Sequence, residues 1–242
     1  MPILPSRDSG AKFLAKLRHK IPLFAGFGPS EFASLEKCIV RRRYPGGQTL
    51  FHMGDERGSL HIIERGRVKV TVPSSSGEEM ILAMLGAGDL LGELSLFDGQ
   101  PRSATVQALE ETDTLCLHRE DLLAVMRNRF DVVEKILEVL ARRIRNTDML
   151  LAEAHFLDIT SRLAKKILDL GDAFGIREGG HVRIGVKITQ KDLASMIGAT
   201  RESINKQLKI LRDQGLVRIY GGTIEILNRE KLVKKARLFP KA

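Results

Sequence analysis

The sequence predicts an α+β chain in three consecutive parts: an antiparallel barrel or sandwich of short strands, one long helix, and a pair of short capped helices followed by a hairpin. Three observations predict it. Short apolar runs separated by turn residues fill 44–117, apolar residues recur at alternating intervals of three and four across 130–156, and cap residues, a turn glycine and a Gly-Gly pair punctuate 187–227. With 242 residues and 43% hydrophobic side chains, the chain is long enough to bury more than one core and has an ordinary globular composition.

The runs at 49–51, 60–63, 68–72, 80–85, 104–108 and 114–117 are strand-length, and turn signals at Pro45-Gly46-Gly47, Gly54-Asp55, Arg65-Gly66 and Ser74-Ser75-Ser76-Gly77 separate them. Many short strands at this spacing pair antiparallel and close on themselves. N-terminal helices and this β part form an expected first domain, 1–127.

From Phe130 the period turns helical: Phe130, Val133, Leu137, Leu140, Ile144, Thr147, Leu151 and Ala154 are the a and d positions of almost four heptads. A 3.5-residue period held this long is what a two-helix seam needs. Residues 128–156 are therefore expected to form a dimerisation helix, with Glu134, Glu138, Arg142, Arg143 and Arg145 on its solvent face. The competing reading is an amphipathic helix lying on its own domain's core.

The last part, 157–242, reads as a winged helix-turn-helix. Thr189 is a good N-cap with Asp192 three residues on, Leu193 and Ile197 face inward, and Gly198 ends the helix. Thr200 caps a second helix whose Ile204, Leu208 and Leu211 face inward and which Gly215 stops. Two runs around Gly221-Gly222 then make a hairpin. That pattern leaves Arg201, Glu202, Asn205, Lys206 and Lys209 pointing outward, side chains that can fork onto guanine, accept from cytosine N4 or meet phosphate. The candidate DNA-contact set is Thr189, Gln190, Thr200, Arg201, Glu202, Ser203, Asn205, Lys206 and Lys209. A dimer places two such helices about 34 Å apart, so the target is expected to be a palindrome in double-stranded DNA.

Charge agrees. Lys plus Arg balance Asp plus Glu at 21 each over 1–156, whereas 157–242 has 18 against 9, so the whole net charge of +9 sits in the last third. Cys38 and Cys116 lie in no metal or disulfide spacing, and the six histidines are scattered, so no metal or other cofactor is expected. No apolar stretch is long enough to span a membrane and the first residues are charged, so a cytoplasmic location is expected. No nucleophile, base and orienting group can be assembled from motif spacing, which argues against an enzyme.

One segment of the β part is unusual: Gly88-Asp-Leu-Leu-Gly-Glu-Leu-Ser-Leu-Phe-Asp-Gly-Gln-Pro-Arg-Ser-Ala-Thr105. Gly92 lets backbone approach a ligand, Glu93 can accept from a sugar hydroxyl, and Arg102 with helix-start amides suits an anion. From these residues alone, a structural ion pair between Glu93 and Arg102 across a turn is the favoured reading.

Residues 92–105 resemble the phosphate-binding cassette of cyclic-nucleotide-binding domains. Ala141-Arg-Arg-Ile-Arg-Asn-Thr147, Phe156-Leu-Asp-Ile-Thr-Ser-Arg-Leu-Ala164 and Thr200-Arg-Glu-Ser-Ile204 resemble the dimer helix, hinge and recognition helix of the cyclic AMP receptor protein (CRP/FNR) family. The resemblance implies an N-terminal cyclic-nucleotide-binding β-roll, a dimerisation helix and a C-terminal winged helix-turn-helix in a homodimeric transcription regulator. RNA polymerase is a further expected partner. The implied ligand set is Gly92, Glu93, Leu94, Arg102, Ser103, Ala104, Thr147 and Asp148, with Glu93 on the ribose 2'-hydroxyl, Arg102 on the cyclic phosphate and Thr147 on the base.

Two positions depart from the family pattern. Asp148 stands where the cyclic AMP receptor has a hydroxyl residue, and its carboxylate suits guanine N1 and N2 as well as adenine N6, so cyclic GMP is expected to bind as well as cyclic AMP. Lys206 stands where the receptor has Arg, losing a bidentate fork, so a half-site like the family's TGTGA is expected to relax at one base. The same fold also serves regulators that sense another small-molecule or redox signal, or that bind DNA without ligand.

Overall fold

The computed structural model describes Leu23, residues 26–28, 35–56, 58–75 and 77–236, with Glu178 described by its backbone. The expected N-terminal helices lie outside the described residues. The chain divides into two compact units, 1–143 and 144–242, a division that falls inside the long helix.

In the first unit two four-stranded antiparallel sheets form. One has the order β1-β8-β3-β6, with β1 Val40–Tyr44, β3 Leu60–Arg65, β6 Leu90–Leu91 and β8 Thr112–Leu117. The other has the order β2-β7-β4-β5, with β2 Thr49–Phe51, β4 Val68–Pro73, β5 Glu79–Leu85 and β7 Thr105–Ala108. Successive side chains of a strand point to opposite faces, and β3 is buried on both. Leu60 and Ile62 join Leu90, Leu96, Leu115 and Leu117 in a core shared with helical residues Leu122, Val132 and Ile136, whereas Ile63 packs with Val68, Leu91 and Val106 in a second cluster. His61 shares the Ile63 side of the strand and is 3% exposed. Three helices belong to this part: α1 Glu93–Phe97, α2 Arg119–Asn128 and the start of α3 Phe130–Phe156.

Strand β1 was not anticipated, because Arg41-Arg42-Arg43 does not read as an apolar run. It is an edge strand, pairing with β8 alone, and charge on an edge discourages further pairing.

Helix α3 packs on its own domain over its first turns. Val132 and Ile136 are buried in the first unit's core, with Val139 and Leu140 packed beside them. On the predicted seam, Phe130 (70% exposed), Leu137, Ile144 and Leu151 (73%) stay exposed in the single chain.

The second unit has helices α4 Ile159–Phe174, α5 Gln190–Ile197, α6 Arg201–Asp213 and α7 Arg229–Ala236, and a sheet of order β11-β12-β10-β9. Its strands are β9 Gly175–Glu178, β10 His181–Ile184, β11 Val217–Tyr220 and β12 Thr223–Ile226. Asp158 caps α4 by accepting from the Ser161 amide. Thr189 and Asp192 form a full capping box, and Thr200 accepts from the Ser203 amide, as the sequence predicts. Gly221 and Gly222 have φ of 57° and 78°, the pair of positive values that a two-residue hairpin turn matched to strand twist requires. The hairpin β9–β10 and helix α7 were not foreseen. Gly179-Gly180 repeats the Gly-Gly signal, and it was legible in the sequence.

Candidate ligand-binding and nucleic-acid sites

Gly92 adopts φ 76° at the start of α1. A Cβ there meets Arg102 Nη1 at 2.0 Å, so the position excludes any side chain while Arg102 stays in place. Arg102 itself is 5% exposed. Its Nη1 donates to the Gly92 carbonyl at 2.8 Å and to Ser95 Oγ at 3.0 Å, and its Nη2 donates to the Ser59 carbonyl at 2.8 Å. The guanidinium also lies over the Phe51 ring, 4.3 Å from its centroid. Burial pushes its pKa down, while the carboxylates of Glu93 and Asp55 act to raise it.

The ion pair expected between Glu93 and Arg102 as a bland alternative is not what forms. Glu93, its side chain 2% exposed, pairs instead with Arg143 of α3, whose other nitrogen donates to the Leu90 carbonyl. This corrects the placement of Arg143 on a solvent face. Val132, Ile136, Val139 and Arg143 follow one another at intervals of four, three and four, a second stripe leading from the core to Glu93. That stripe was visible in the sequence beside the stronger a/d pattern.

Of the other expected ligand residues, Leu94 is 44% exposed, Ser103 is exposed and Ala104 is 7% exposed beside Arg102. The loop carrying them is tied down: the Gly54 amide donates to the Arg102 carbonyl and the Arg102 amide to the Asp55 carbonyl. Thr147 and Asp148 are exposed on α3, four and five residues beyond Arg143. Ser59, Ser95, Phe51 and His61 were missed. Their contacts with or near Arg102 arise from strand pairing and chain return, which no local pattern encodes.

His61 is neutral: burial, then the charges of Arg102 and Arg42, lower its pKa from 6.5 to about 3. An unfolded His61 takes up a proton below about pH 6.5 and the folded one does not, so its contribution to stability is intact above that pH and is lost as pH falls toward 3. The loss is about 1.4 kcal/mol per pH unit in that window. Denaturant titrations from pH 6 to 4 are expected to show a shallower decline for His61→Gln than for wild type, by one proton's worth of slope; equal slopes contradict it.

In the second unit, the burial of Ile204, Leu208 and Leu211 leaves Arg201, Glu202, Asn205, Lys206 and Lys209 exposed on α6. Ser203 is partly buried, and its hydroxyl accepts from Thr200 Oγ1 at 2.9 Å. Thr189 is exposed and Gln190 partly so, at the start of α5. Two contacts from α4 brace the pair: Arg162 donates to the Ile197 carbonyl at 2.7 Å, satisfying the end of α5, and Thr160 donates to Gln207 of α6 at 2.7 Å. The exposed face of α6 is thereby presented on a fixed frame.

Comparison with known proteins identifies both domains. Residues 41–129 match the cyclic nucleotide-binding domain family, and 161–235 match the Crp-like helix-turn-helix domain family. A CRP-like cAMP-activated global transcriptional regulator of Mycobacterium tuberculosis is 36% identical over 215 residues, covering 89% of this chain and 96% of that protein. The chain belongs to the CRP/FNR family of transcription regulators.

Another relative of this CRP/FNR protein is the cyclic AMP receptor protein of Thermus thermophilus, 36% identical over 207 residues, 85% of this chain and 92% of that one. In fold it is similar to FixK2 of Bradyrhizobium japonicum, with a TM-score of 0.73 at 18% identity, covering 83% of this chain and 98% of the other. As a CRP/FNR protein it is a DNA-binding regulator rather than an enzyme. No helix among the described residues is long and apolar enough to cross a membrane.

Proposed function

We propose that two copies of this chain form a regulator that binds cyclic AMP, and cyclic GMP through Asp148, and that nucleotide binding controls its hold on palindromic promoter DNA. The observation that carries the reading is Arg102. A guanidinium has five N–H donors, and three hydrogen bonds to protein acceptors fix this one in a buried place. The remaining donors suit an anion that brings its own charge, and a cyclic phosphate has two oxygens for them. Glu93 takes the ribose 2'-hydroxyl, with Gly92, Leu94, Ser103 and Ala104 around the phosphate and Thr147 and Asp148 toward the base.

Arg143 links this site to α3. A ribose hydroxyl donating to Glu93 shares the carboxylate that Arg143 holds, so the ligand changes what binds the helix. The exposed a/d residues of α3 support a symmetric two-helix seam, and a shift in its packing reaches the recognition helices. Lys206 gives a point charge where an Arg fork reads guanine, which relaxes the half-site at that base. RNA polymerase is a further expected partner on the promoter.

A gel-shift titration on a palindromic probe, with no nucleotide, cyclic AMP and cyclic GMP in parallel, tests sensing and output together. Cyclic AMP is expected to tighten binding by about tenfold or more, and equal affinity in all three arms refutes nucleotide control. Absence of calorimetric heat with cyclic GMP, where cyclic AMP gives it, refutes the role given to Asp148.

A further inference from the structure

We propose that His61 is a positioning residue for nucleotide binding: through Ser59 and Phe51 it holds the Arg102 guanidinium in the orientation that presents its remaining donors. The proposal rests on the reading of Arg102 as the phosphate-binding group.

A buried polar side chain is costly unless its hydrogen-bonding groups are met. His61 shares its side of β3 with Ile63, which packs among apolar residues, so an apolar residue would suit the site if packing were its only task. Instead, His61 Nε2 lies 3.4 Å from Ser59 Oγ, and the carbonyl of the same Ser59 accepts Arg102 Nη2 at 2.8 Å. The Phe51 ring forms the second link, with the His61 ring 5.7 Å from it and the Arg102 guanidinium 4.3 Å from its centroid. Both paths from the imidazole end on Arg102.

The other side of the ring is partnered as well. His61 Nδ1 lies 3.3 Å from Cys116 Sγ and 3.4 Å from Thr114 Oγ1. Burial raises the Cys116 pKa, so the sulfur stays a thiol, and with Thr114 it partners the ring on the side away from Ser59. Cys116 and His61 are thus both neutral, and the pair is not a reactive thiolate–imidazolium couple. A neutral ring is also what the place demands, since a second cation beside Arg102 would repel it.

Titration calorimetry of the full chain with cyclic AMP tests this in wild type, His61→Leu, His61→Gln, Ser59→Ala, Arg102→Lys and the His61→Leu/Arg102→Lys double variant, each checked for folding by thermal unfolding. His61→Leu is expected to weaken binding about tenfold, the scale of one oriented hydrogen bond. His61→Gln, which keeps one donor and one acceptor group for Ser59 and Cys116, is expected to recover most of that loss. In the Arg102→Lys background the leucine substitution is expected to add less than about twofold, because the fork it positions is already gone. Should His61→Leu fail to fold, Ser59→Ala makes the same comparison, since it keeps the carbonyl and removes the hydroxyl.

The proposal is overturned by folded His61→Leu and Ser59→Ala proteins that bind like wild type. It is overturned equally by a full tenfold loss added on top of Arg102→Lys, or by His61→Gln as weak as His61→Leu. Arg102→Lys binding like wild type refutes the phosphate reading itself, as does a wild type that does not bind cyclic AMP, so the two failures are distinguishable.

Discussion

Alanine at position 92 is expected to abolish cyclic nucleotide binding, lowering affinity by at least about a hundredfold, while the protein still folds. Two independent effects combine. The backbone at φ 76° suits glycine, and an L side chain there costs on the order of 1–3 kcal/mol. The added Cβ falls 2.0 Å from Arg102 Nη1 and 2.9 Å from its Cζ, with the Ser59 carbonyl at 3.3 Å. Arg102 cannot yield locally, because its nitrogens are tied to Ser95 and Ser59 as well as to Gly92 and its plane lies on Phe51. It must leave as a unit, taking with it the charge-assisted contacts proposed for the phosphate. Calorimetry with cyclic AMP reads the loss, and thermal unfolding shows that the sheets persist. A Gly92→Ala protein of normal affinity would show that Arg102 does not hold the phosphate.

Glutamate in place of Leu151 is expected to convert the proposed dimer to a monomer and to weaken binding to a palindromic probe by about a hundredfold. Leu151 and Ile144 are 73% and 63% exposed in the single chain, one heptad apart on the a/d stripe. A parallel two-helix seam sets the two copies of such a position side by side, so the substitution places two carboxylates in an apolar contact. Once the seam opens, each recognition helix binds one half-site alone and the gain from linked binding is lost. Sedimentation velocity reads the mass and a gel shift the affinity, with Arg142→Glu on the outer face as the control. A Leu151→Glu protein that sediments as a dimer rules out this seam.

What was legible in the sequence was local. Capping at Thr189 and Thr200, the Gly221-Gly222 hairpin and the burial of Ile204, Leu208 and Leu211 are short-range patterns, and the second unit forms around them. The strand runs between 49 and 117 were legible for the same reason. What was hidden depends on chain return. Arg102 meets Ser59 across 43 residues and Arg143 meets Glu93 across 50, and neither spacing has a signature. The Arg-rich β1 was hidden because its strand character comes from pairing with β8 rather than from its side chains. Arg143 was misplaced because one strong period masked a weaker one, so the helix was assigned a single apolar face where it has two.

Those two faces divide α3 along its length. Its 27 residues span about 40 Å, yet Val132 and Ile136, buried in a core, lie in the first two turns, while Ile144, Met149 and Leu151 are exposed. An isolated amphipathic helix without tertiary packing is marginal in water. Amide hydrogens near 132–140 are therefore protected by the chain's own fold, whereas in the proposed dimer those near 144–152 are expected to owe their slow exchange to the second copy. Protection along this one helix should then track protein concentration at one end and not at the other, which makes its C-terminal half a built-in gauge of assembly.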